Sequence, residues 1–178
     1  PALARVGPIR KALGRRTIFN LCGPLANPAG VTRQLVGVAH PSLIALYRDA
    51  MQLLDTEAAL IVSGAEGLDE LSIAGTSYMA SIGLSGIGTE ISPDNAGLAP
   101  HPLDALRGGD AAYNAAALRQ LLLGEPGAYR DAVLLNSAAA LLVAGEVEDW
   151  LEGVEEAAEA IDKGLAKGLL DCWIDTVQ

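Results

Sequence analysis

A regular pattern of apolar and polar positions is clearest in residues 34–63, where two short apolar runs flank a stretch with helical spacing. The runs 34–39 and 58–63 are too short for helices, and a glycine follows the second, which is typical of buried strands. Pro41 and Ser42 open the intervening helix, and we expect the Ser42 side chain to cap its first turn. A strand, a helix and a strand within about 30 residues predict a βαβ crossover, and therefore a pair of parallel strands.

The next segment, residues 71–92, has a different pattern. Glycines interrupt it repeatedly and leave only short pieces between them. The runs 77–82 and 89–92 are long enough for short strands, so we expect a small antiparallel hairpin region here.

Helical spacing dominates the chain after Asp110, a residue suited to cap the first of these helices. Gly124 and Gly145 follow the first two helices, as expected of residues that end a helix. The predicted helices cover residues 111–123, 129–144 and 148–165. The whole pattern predicts a single α/β domain over residues 1–178, with a mostly parallel sheet, flanking helices, a small antiparallel hairpin region and a helical C-terminal third.

Composition and charge narrow the class of protein. The chain is 51% apolar and 19% charged, which is typical of a packed globular protein. A net charge of -10 argues against a nucleic-acid partner, because phosphate neutralisation needs clustered basic residues. The densest basic group suits at most a small phosphorylated ligand, and it consists of Arg10, Lys11, Arg15 and Arg16.

Compartment and membrane association follow from two further features. No apolar run reaches the roughly 18 residues of a membrane span, and we recognise no signal peptide, so we expect no membrane partner. Cys22 and Cys172 lie far apart in the sequence without a metal-like partner, which favours a reducing compartment. We therefore expect a cytoplasmic protein.

An acidic pair, Asp69 and Glu70, follows the second strand of the βαβ unit within a glycine-bearing loop. In open parallel sheets, ligands bind at the carboxyl ends of the strands, so this loop is well placed for a site. Adjacent carboxylates suit a hard cation, especially Mg²⁺ bridging a pyrophosphate. An ordinary acidic loop is the alternative that the residues alone leave open.

Two further candidates lie near the start of the chain. Gly23 and Pro24 belong to a turn, and a glycine lets a backbone approach a planar ligand closely. The alternative is a helix terminator before the first strand. Arg10 lies in the basic group and opens a short helix that ends at Gly14, and arginine is suited to bidentate recognition of carboxylate or phosphate. The alternative is an ordinary surface arginine.

The sequence resembles the anthranilate phosphoribosyltransferase family in five blocks that occur in the same order. Residues 16–28 resemble the family's R-T-x-F-N-x-x-G-P-L-x-N-P stretch, and residues 67–72 are similar to its G-x-D-E metal motif. The other blocks are the strand at 33–38 and two stretches of the helical tail, 106–110 and 130–136. The resemblance covers nearly the whole chain, and the ordered set is far more specific than any single block.

The resemblance implies an activity and a role for each matching position. The family transfers the phosphoribosyl group of phosphoribosyl pyrophosphate to the amine of anthranilate, in tryptophan biosynthesis. Arg10 matches the arginine that meets anthranilate, and Gly23 with Pro24 matches the turn that lines the aromatic pocket. Asp69 and Glu70 match the pair that holds the cofactor Mg²⁺ against the pyrophosphate. We assign no general base, and the resemblance implies a homodimer for the full-length protein.

The departures from the family pattern affect what we expect of this chain. The family's glycine-rich phosphate-holding segment, its Lys-His-Gly-Asn stretch and its helical dimerisation domain lie upstream of the matched region. The chain begins Pro-Ala-Leu without Met, so we expect a C-terminal portion that is inactive by itself. Cys22 stands where an aliphatic residue is usual, and Ile73-Ala74 replaces a turn that typically contains proline.

Two alternative functions remain open at this point. A pyrimidine nucleoside phosphorylase-like protein shares the expected architecture, although we expect such a protein to match less well at the turn after Asn20 and at residues 67–72. A catalytically incomplete fragment or binding module derived from the enzyme is the second alternative.

Overall fold

A computed structural model describes residues 2–15 and 17–177 of the chain, with the backbone alone for residues 2–5, 10 and 20. Contacts divide the chain into two units, Pro1–Val31 and Thr32–Gln178. The single domain expected over residues 1–178 stays a prediction.

The first unit contains one α-helix and a series of turns within its described residues. Helix α1 spans Ala2–Leu13 and ends before Gly14, whose positive φ of 59° closes the helix. Gly14 ends the helix as the sequence predicts, but the helix begins before Arg10, which lies in its second half. A 3-10 helix follows at Ile18–Asn20 and leads into successive turns.

The second unit is built on a four-stranded sheet in the order β1-β2-β3-β4. The strands are β1 (Arg33–Gly37), β2 (Ala58–Gly64), β3 (Ser77–Ile82) and β4 (Glu90–Ile91). Strands β1 and β2 are parallel and are connected through helix α2 (Ile44–Gln52), which confirms the predicted βαβ crossover. The predicted α/β class is also confirmed.

The sheet is mixed, however, and not mostly parallel. Strand β3 pairs antiparallel with β2, and β4 pairs antiparallel with β3, so the expected hairpin region belongs to the same sheet. The reason lies in residues 65–76, which form turns and bends with no helix. A parallel return would need a crossover connection, whereas a direct loop brings the next strand back antiparallel.

Four helices form the C-terminal part of the described chain, which confirms its helical character. They are α3 (Ala111–Leu122), α4 (Ala128–Ala144), α5 (Trp150–Asp162) and α6 (Leu165–Val177). Asp110 caps α3 as predicted, because its carboxylate accepts a hydrogen bond from the Tyr113 N–H at 2.8 Å. The single helix expected over residues 148–165 is wrong, since Gly164 adopts a φ of 72° and separates α5 from α6.

The predicted cap of the crossover helix is also corrected. A 3-10 helix at Pro41–Leu43 precedes α2, and its cap is His40, whose Nδ1 accepts a bond from the Ser42 N–H at 3.2 Å. Ser42 is therefore the donor at this turn. The Ser42 hydroxyl lies 2.8 Å from the same His40 nitrogen.

The core of the second unit lies between the sheet and α4. Every residue of β2 is buried, and Leu60 and Val62 pack in one cluster with Leu135 and Ala139 of α4. On its other side, α4 packs closely against α5. Helix α4 is thus fixed between two layers, and it can position side chains with little freedom. Across the described residues, no helix has the length and apolar character needed to cross a membrane.

Candidate functional site

A cleft of about 910 Å³ opens beside the carboxyl ends of β1 and β2. Its walls come from these two strands, the loop after β2, the 3-10 helix Leu103–Leu106 and helix α4. Asp69 and Glu70 line it, so the structure places the predicted acidic pair at the strand ends, as the sequence indicated. This is the position at which open α/β sheets bind ligands.

Both carboxylates of the acidic pair are exposed. Within residues 2–15 and 17–177, neither forms an ion pair or a side-chain hydrogen bond. They therefore retain their acceptor capacity for a ligand. No group of three or more His, Cys, Asp or Glu side chains in the described chain could hold a metal ion. Two oxygen ligands fit Mg²⁺, which keeps several waters and substrate phosphates in its shell, and they would not suffice for a protein-enclosed metal site.

The loop that carries the pair is tightly turned at its start. The Gly64 N–H donates to the Leu68 carbonyl at 2.8 Å, and the Gly67 N–H donates to the Gly64 carbonyl at 2.9 Å. Gly67 has a φ of 90°, which an L-residue rarely adopts. This turn sends the chain back across the end of the sheet immediately before Asp69.

Gly37, the last residue of β1, meets the loop at very short range. A Cβ placed on Gly37 would lie 1.6 Å from the carbonyl oxygen of Asp69. Glycine is required here because of this close approach and not because of its φ. The absence of a side chain at Gly37 allows the Asp69 backbone to lie directly on the strand end.

Asn136 of α4 holds the loop on the other side of the acidic pair. Its Oδ1 accepts a hydrogen bond from the Leu71 N–H at 2.9 Å, and its Nδ2 donates to the Leu71 carbonyl at 3.0 Å. Leu71 directly follows Glu70 and is buried in the core. The acidic residues thus lie between the close approach of Asp69 to Gly37 and the hydrogen-bonded peptide of Leu71.

A buried serine closes the far end of the same loop. The Ser72 hydroxyl donates to Glu66 Oε1 and accepts a bond from the Ala74 N–H at 3.0 Å. The Ser72 N–H donates to the hydroxyl of Ser77 at 2.8 Å. These contacts use Glu66 as a structural carboxylate, which distinguishes it from Asp69 and Glu70.

The charged side chains of the cleft are predominantly acidic. Asp104 joins Asp69 and Glu70 on the lining, and Arg107 is the only basic residue among the described lining residues. Arg107 Nη2 lies 3.0 Å from Asp104 Oδ1, and both side chains are largely exposed. This balance favours a cation, and a polyanionic ligand would need the cation to bind here.

Gly23 and Pro24 lie in the turns of the first unit. The Ala26 N–H donates to the Gly23 carbonyl at 3.2 Å, and Pro24 is half-buried. A Cβ on Gly23 would meet no described atom within 4 Å, and φ at this position is not positive. Among the described residues, neither packing nor conformation requires glycine at this position. The side chain of Arg10 lies outside the described residues.

Sequence reasoning did not identify Gly37 or Asn136 as part of the site. Gly37 sits inside an apolar strand run, where its contact with Asp69 has no sequence signal. Asn136 is a polar residue in the middle of a largely apolar helix, and this is the one signal that could have found it.

His101 has a structural role. Its Nε2 lies 2.7 Å from Asp131 Oδ2, and its backbone N–H donates to the Ile73 carbonyl.

The sequence of this chain is similar to the sequences of a known protein family. Residues 1–167 match the glycosyl transferase family, a/b domain. The chain is 58% identical to an anthranilate phosphoribosyltransferase of Novosphingobium aromaticivorans over 100% of its own length and 54% of the relative. It is 61% identical to the enzyme of the same name from Sphingopyxis alaskensis, over 98% of this chain and 53% of the relative.

Solved structures show the same likeness. The anthranilate phosphoribosyltransferase of Thermus thermophilus superposes with a TM-score of 0.90 at 39% identity, covering 98% of this chain and 52% of that chain. That of Saccharomyces cerevisiae, in complex with PRPP and Mg, gives a TM-score of 0.88 at 31% identity, covering 98% and 51%. The chain spans about half the length of the curated relatives it matches.

Proposed function

Because this chain belongs to the glycosyl transferase family, whose a/b domain it matches, we propose that the protein is an anthranilate phosphoribosyltransferase. Its substrates are anthranilate and phosphoribosyl pyrophosphate, and its products are phosphoribosylanthranilate and pyrophosphate. The observation that carries the proposal is the acidic pair Asp69 and Glu70, without protein partners in the described chain and placed on the cleft at the strand ends. Relatives of that name at 58% and 61% identity support the choice of substrates.

The proposed reaction is a displacement at the anomeric carbon of the ribose. The nitrogen of anthranilate forms a bond to C1, and the bond between C1 and the pyrophosphate oxygen breaks. Pyrophosphate leaves with the electron pair of that bond, and the amine nitrogen loses one proton. Such a transfer depends on alignment of the two substrates and on neutralisation of the leaving group, so the protein contributes mainly by positioning and electrostatics.

Asp69 and Glu70 are the residues that would hold Mg²⁺. When bound, the cation supplies positive charge to the oxygens of the leaving pyrophosphate. The two carboxylates fit this role because they are exposed, unpaired in the described chain and carried by a loop that packs against Gly37 and is hydrogen-bonded to Asn136. Arg107, on the same cleft, is the one basic side chain among the described lining residues, and it is paired with Asp104.

Arg10, Gly23 and Pro24 form the proposed anthranilate site. A guanidinium can donate two parallel hydrogen bonds to the carboxylate of anthranilate. The absence of a side chain at Gly23 and the half-buried ring of Pro24 suit a planar aromatic ligand. The motif match of these positions to the family is the support for this assignment.

An assay with the full-length protein tests the proposal. Anthranilate, phosphoribosyl pyrophosphate and Mg²⁺ are mixed with the protein, and anthranilate consumption is followed by its fluorescence while pyrophosphate release is measured independently. We expect equal amounts of both, with no reaction when any one of the three is left out. A parallel reaction with pyrimidine nucleosides and inorganic phosphate tests the phosphorylase alternative. Nucleoside cleavage without anthranilate consumption would contradict the proposal and favour that alternative.

We propose in addition that the full-length protein is a cytoplasmic homodimer. The free cysteines Cys22 and Cys172 are compatible with a reducing compartment. The dimer rests on the family resemblance alone. Light scattering coupled to size-exclusion chromatography would measure it directly, and a monomeric mass over the working concentration range would contradict it.

A further inference from the structure

Asn136 links helix α4 to the peptide that directly follows the acidic pair. The Leu71 N–H donates to Asn136 Oδ1 at 2.9 Å, and Asn136 Nδ2 donates to the Leu71 carbonyl at 3.0 Å. These are the two bonds that a neighbouring strand would make to Leu71. A side chain on α4 thus takes the place of a strand at a point where the sheet has ended.

The amide of Asn136 is itself held in one orientation. Nδ2 also donates to the Ala132 carbonyl, one turn earlier in α4, at 3.0 Å. Both protons of Nδ2 and one lone pair of Oδ1 are therefore used. Helix α4 is packed between the sheet and α5, so the position of this amide is set by the core.

Leu71 cannot easily exchange these bonds for water. Its side chain is buried in the main core cluster, with a relative exposure of 1%. A buried peptide group without a partner is costly, so the segment keeps its bond to Asn136 whenever α4 is in place.

The bond to Leu71 acts directly on Glu70 and Asp69. The Leu71 N–H belongs to the peptide plane whose carbonyl is that of Glu70, so holding this N–H fixes the plane. On the other side, the Asp69 carbonyl rests against Gly37. The carboxylates themselves have no protein partner in the described chain, and their direction therefore depends on the backbone between these two contacts.

We infer that Asn136 is a positioning residue for the divalent cation, because it fixes the backbone from which Asp69 and Glu70 reach into the cleft. Asn136 acts through the two carboxylates and not as a ligand. The inference rests on the proposed function for the nature of the substrates, but the cation can be tested by itself. Residues that orient the ligands of a metal typically alter its affinity about 10- to 100-fold when they are removed.

The test uses the full-length protein with Asn136→Ala and Asn136→Ser, neither of which changes the charge of the cleft. Asn114→Ala is a matched control, because the Asn114 side chain makes the same pair of bonds to Gly109, at 2.9 and 3.1 Å, and these bonds lie outside the acidic loop. Asn136→Ser leaves a hydroxyl at the site. If the alanine variant does not fold, the Mn²⁺ affinity of the serine variant is the one that tests the inference. Circular dichroism and thermal unfolding establish that each variant is folded.

The probe is Mn²⁺, titrated with and without inorganic pyrophosphate, with the free ion measured by electron paramagnetic resonance. Mn²⁺ binding that remains in the double variant Asp69→Asn with Glu70→Gln belongs to other sites, and it is subtracted from the binding measured for each protein. We expect the Asn136 variants to bind Mn²⁺ about 10- to 100-fold more weakly, and Asn114→Ala to bind it like the parent protein. In the transfer assay, the Mg²⁺ concentration for half-maximal rate should rise, while saturating Mg²⁺ should recover most of kcat.

The outcomes separate this inference from the proposed function. Folded Asn136 variants with unchanged Mn²⁺ affinity would overturn the inference, even if the parent protein transfers phosphoribosyl groups. Weaker Mn²⁺ binding in a protein that shows no transfer would support the positioning role and contradict the proposed function. A loss of kcat with an unchanged Mg²⁺ requirement would indicate a structural role for Asn136 and would also overturn the inference.

Discussion

At the scale of single residues, the acidic side chains of the described chain differ in what they contact. Asp104, Asp131 and Asp162 each lie within 3.0 Å of a basic or imidazole nitrogen. Asp69 and Glu70 have no such partner in the described chain, yet their backbone packs against Gly37 on one side and is hydrogen-bonded to Asn136 on the other. A fixed backbone with unpaired carboxylates is the arrangement expected of ligands that await a cation, because little order must be gained on binding.

Removal of both charges tests this interpretation. We predict that Asp69→Asn with Glu70→Gln in the full-length protein lowers turnover about a hundred-fold or more, because charge on the leaving pyrophosphate is no longer neutralised. The Mg²⁺ concentration needed for half-maximal rate should rise. Glu155→Gln with Glu156→Gln is the matched control, since it removes two adjacent exposed carboxylates from α5. An unchanged rate and Mg²⁺ profile in the first variant would remove the metal assignment.

Arg10 is predicted to recognise anthranilate and not the phosphoribosyl donor. Loss of paired charge-assisted hydrogen bonds should raise the KM for anthranilate about ten-fold or more in Arg10→Ala, with a much smaller effect on the donor. Steady-state kinetics with each substrate varied in turn measures the two effects separately. Lys11→Ala removes a neighbouring exposed charge and should leave both constants near their parent values. An effect confined to the donor would assign this arginine to the other substrate.

At the scale of secondary-structure elements, the position of α4 depends on close packing against α5. A Cβ on Gly153 would lie 2.8 Å from the Cβ of Ala138 and 3.0 Å from its Cα. The glycine therefore allows the two helices to approach at this point. Because α4 carries Asn136, the spacing of these helices also affects the acidic loop.

A pair of glycine substitutions separates packing from helix propensity. We predict that Gly153→Ala lowers the free energy of unfolding by about 1–3 kcal/mol, since the added methyl overpacks the contact between α4 and α5. Gly168→Ala in α6 should raise it by up to about 1 kcal/mol, because a Cβ there meets nothing within 4 Å and alanine favours the helix. Urea denaturation measures both. Equal effects of the two substitutions would show that packing does not control the spacing of these helices.

The elements that local pattern predicts are those whose signal is contained within a few residues. The βαβ unit, the Asp110 cap and the end of α1 at Gly14 follow from spacing, capping and glycine conformation. The break at Gly164 was missed because apolar residues continue at helical spacing through it, and a glycine is tolerated within a helical pattern. The expected antiparallel region is present, but its place in one sheet with β1 and β2 depends on the connection and not on the strands, so the strand pattern alone does not predict it.

The sequence indicates some residues of the candidate site and gives no signal for others. The acidic pair follows a strand directly, so its place at the sheet edge could be predicted from sequence. Asn136 lies 65 residues from Leu71 in the sequence. Gly37 lies at the end of β1, whereas the loop that it contacts follows β2. Contacts of this kind arise from the tertiary fold, and a single sequence carries no pattern that pairs them.

At the scale of the whole molecule, two surface properties affect what the chain can bind: the charge of the cleft and the exposed apolar surface of α6. Among the described lining residues of the cleft, three carboxylates and one guanidinium carry charge, so these residues together repel a pyrophosphate. Helix α6 presents a stripe of apolar side chains at four-residue spacing with exposures of 63–73%, formed by Leu165, Leu169, Trp173 and Val177. Exposed apolar surface of this kind is typical of regions that associate with other protein.

Residues 1–178 can be produced as a separate polypeptide. We expect this polypeptide to fold, because the buried cluster between the sheet and α4 is formed entirely within it. We also expect it to self-associate through the apolar stripe on α6. It should not catalyse the transfer, because the acidic pair cannot replace hydrogen-bond donors that hold pyrophosphate. Circular dichroism, sedimentation velocity and the anthranilate assay measure the three expectations in turn. Trp173→Lys should reduce the association without restoring activity. Turnover near that of a full-length relative would show that donor binding needs no residue outside 1–178, despite the acidic lining of the cleft.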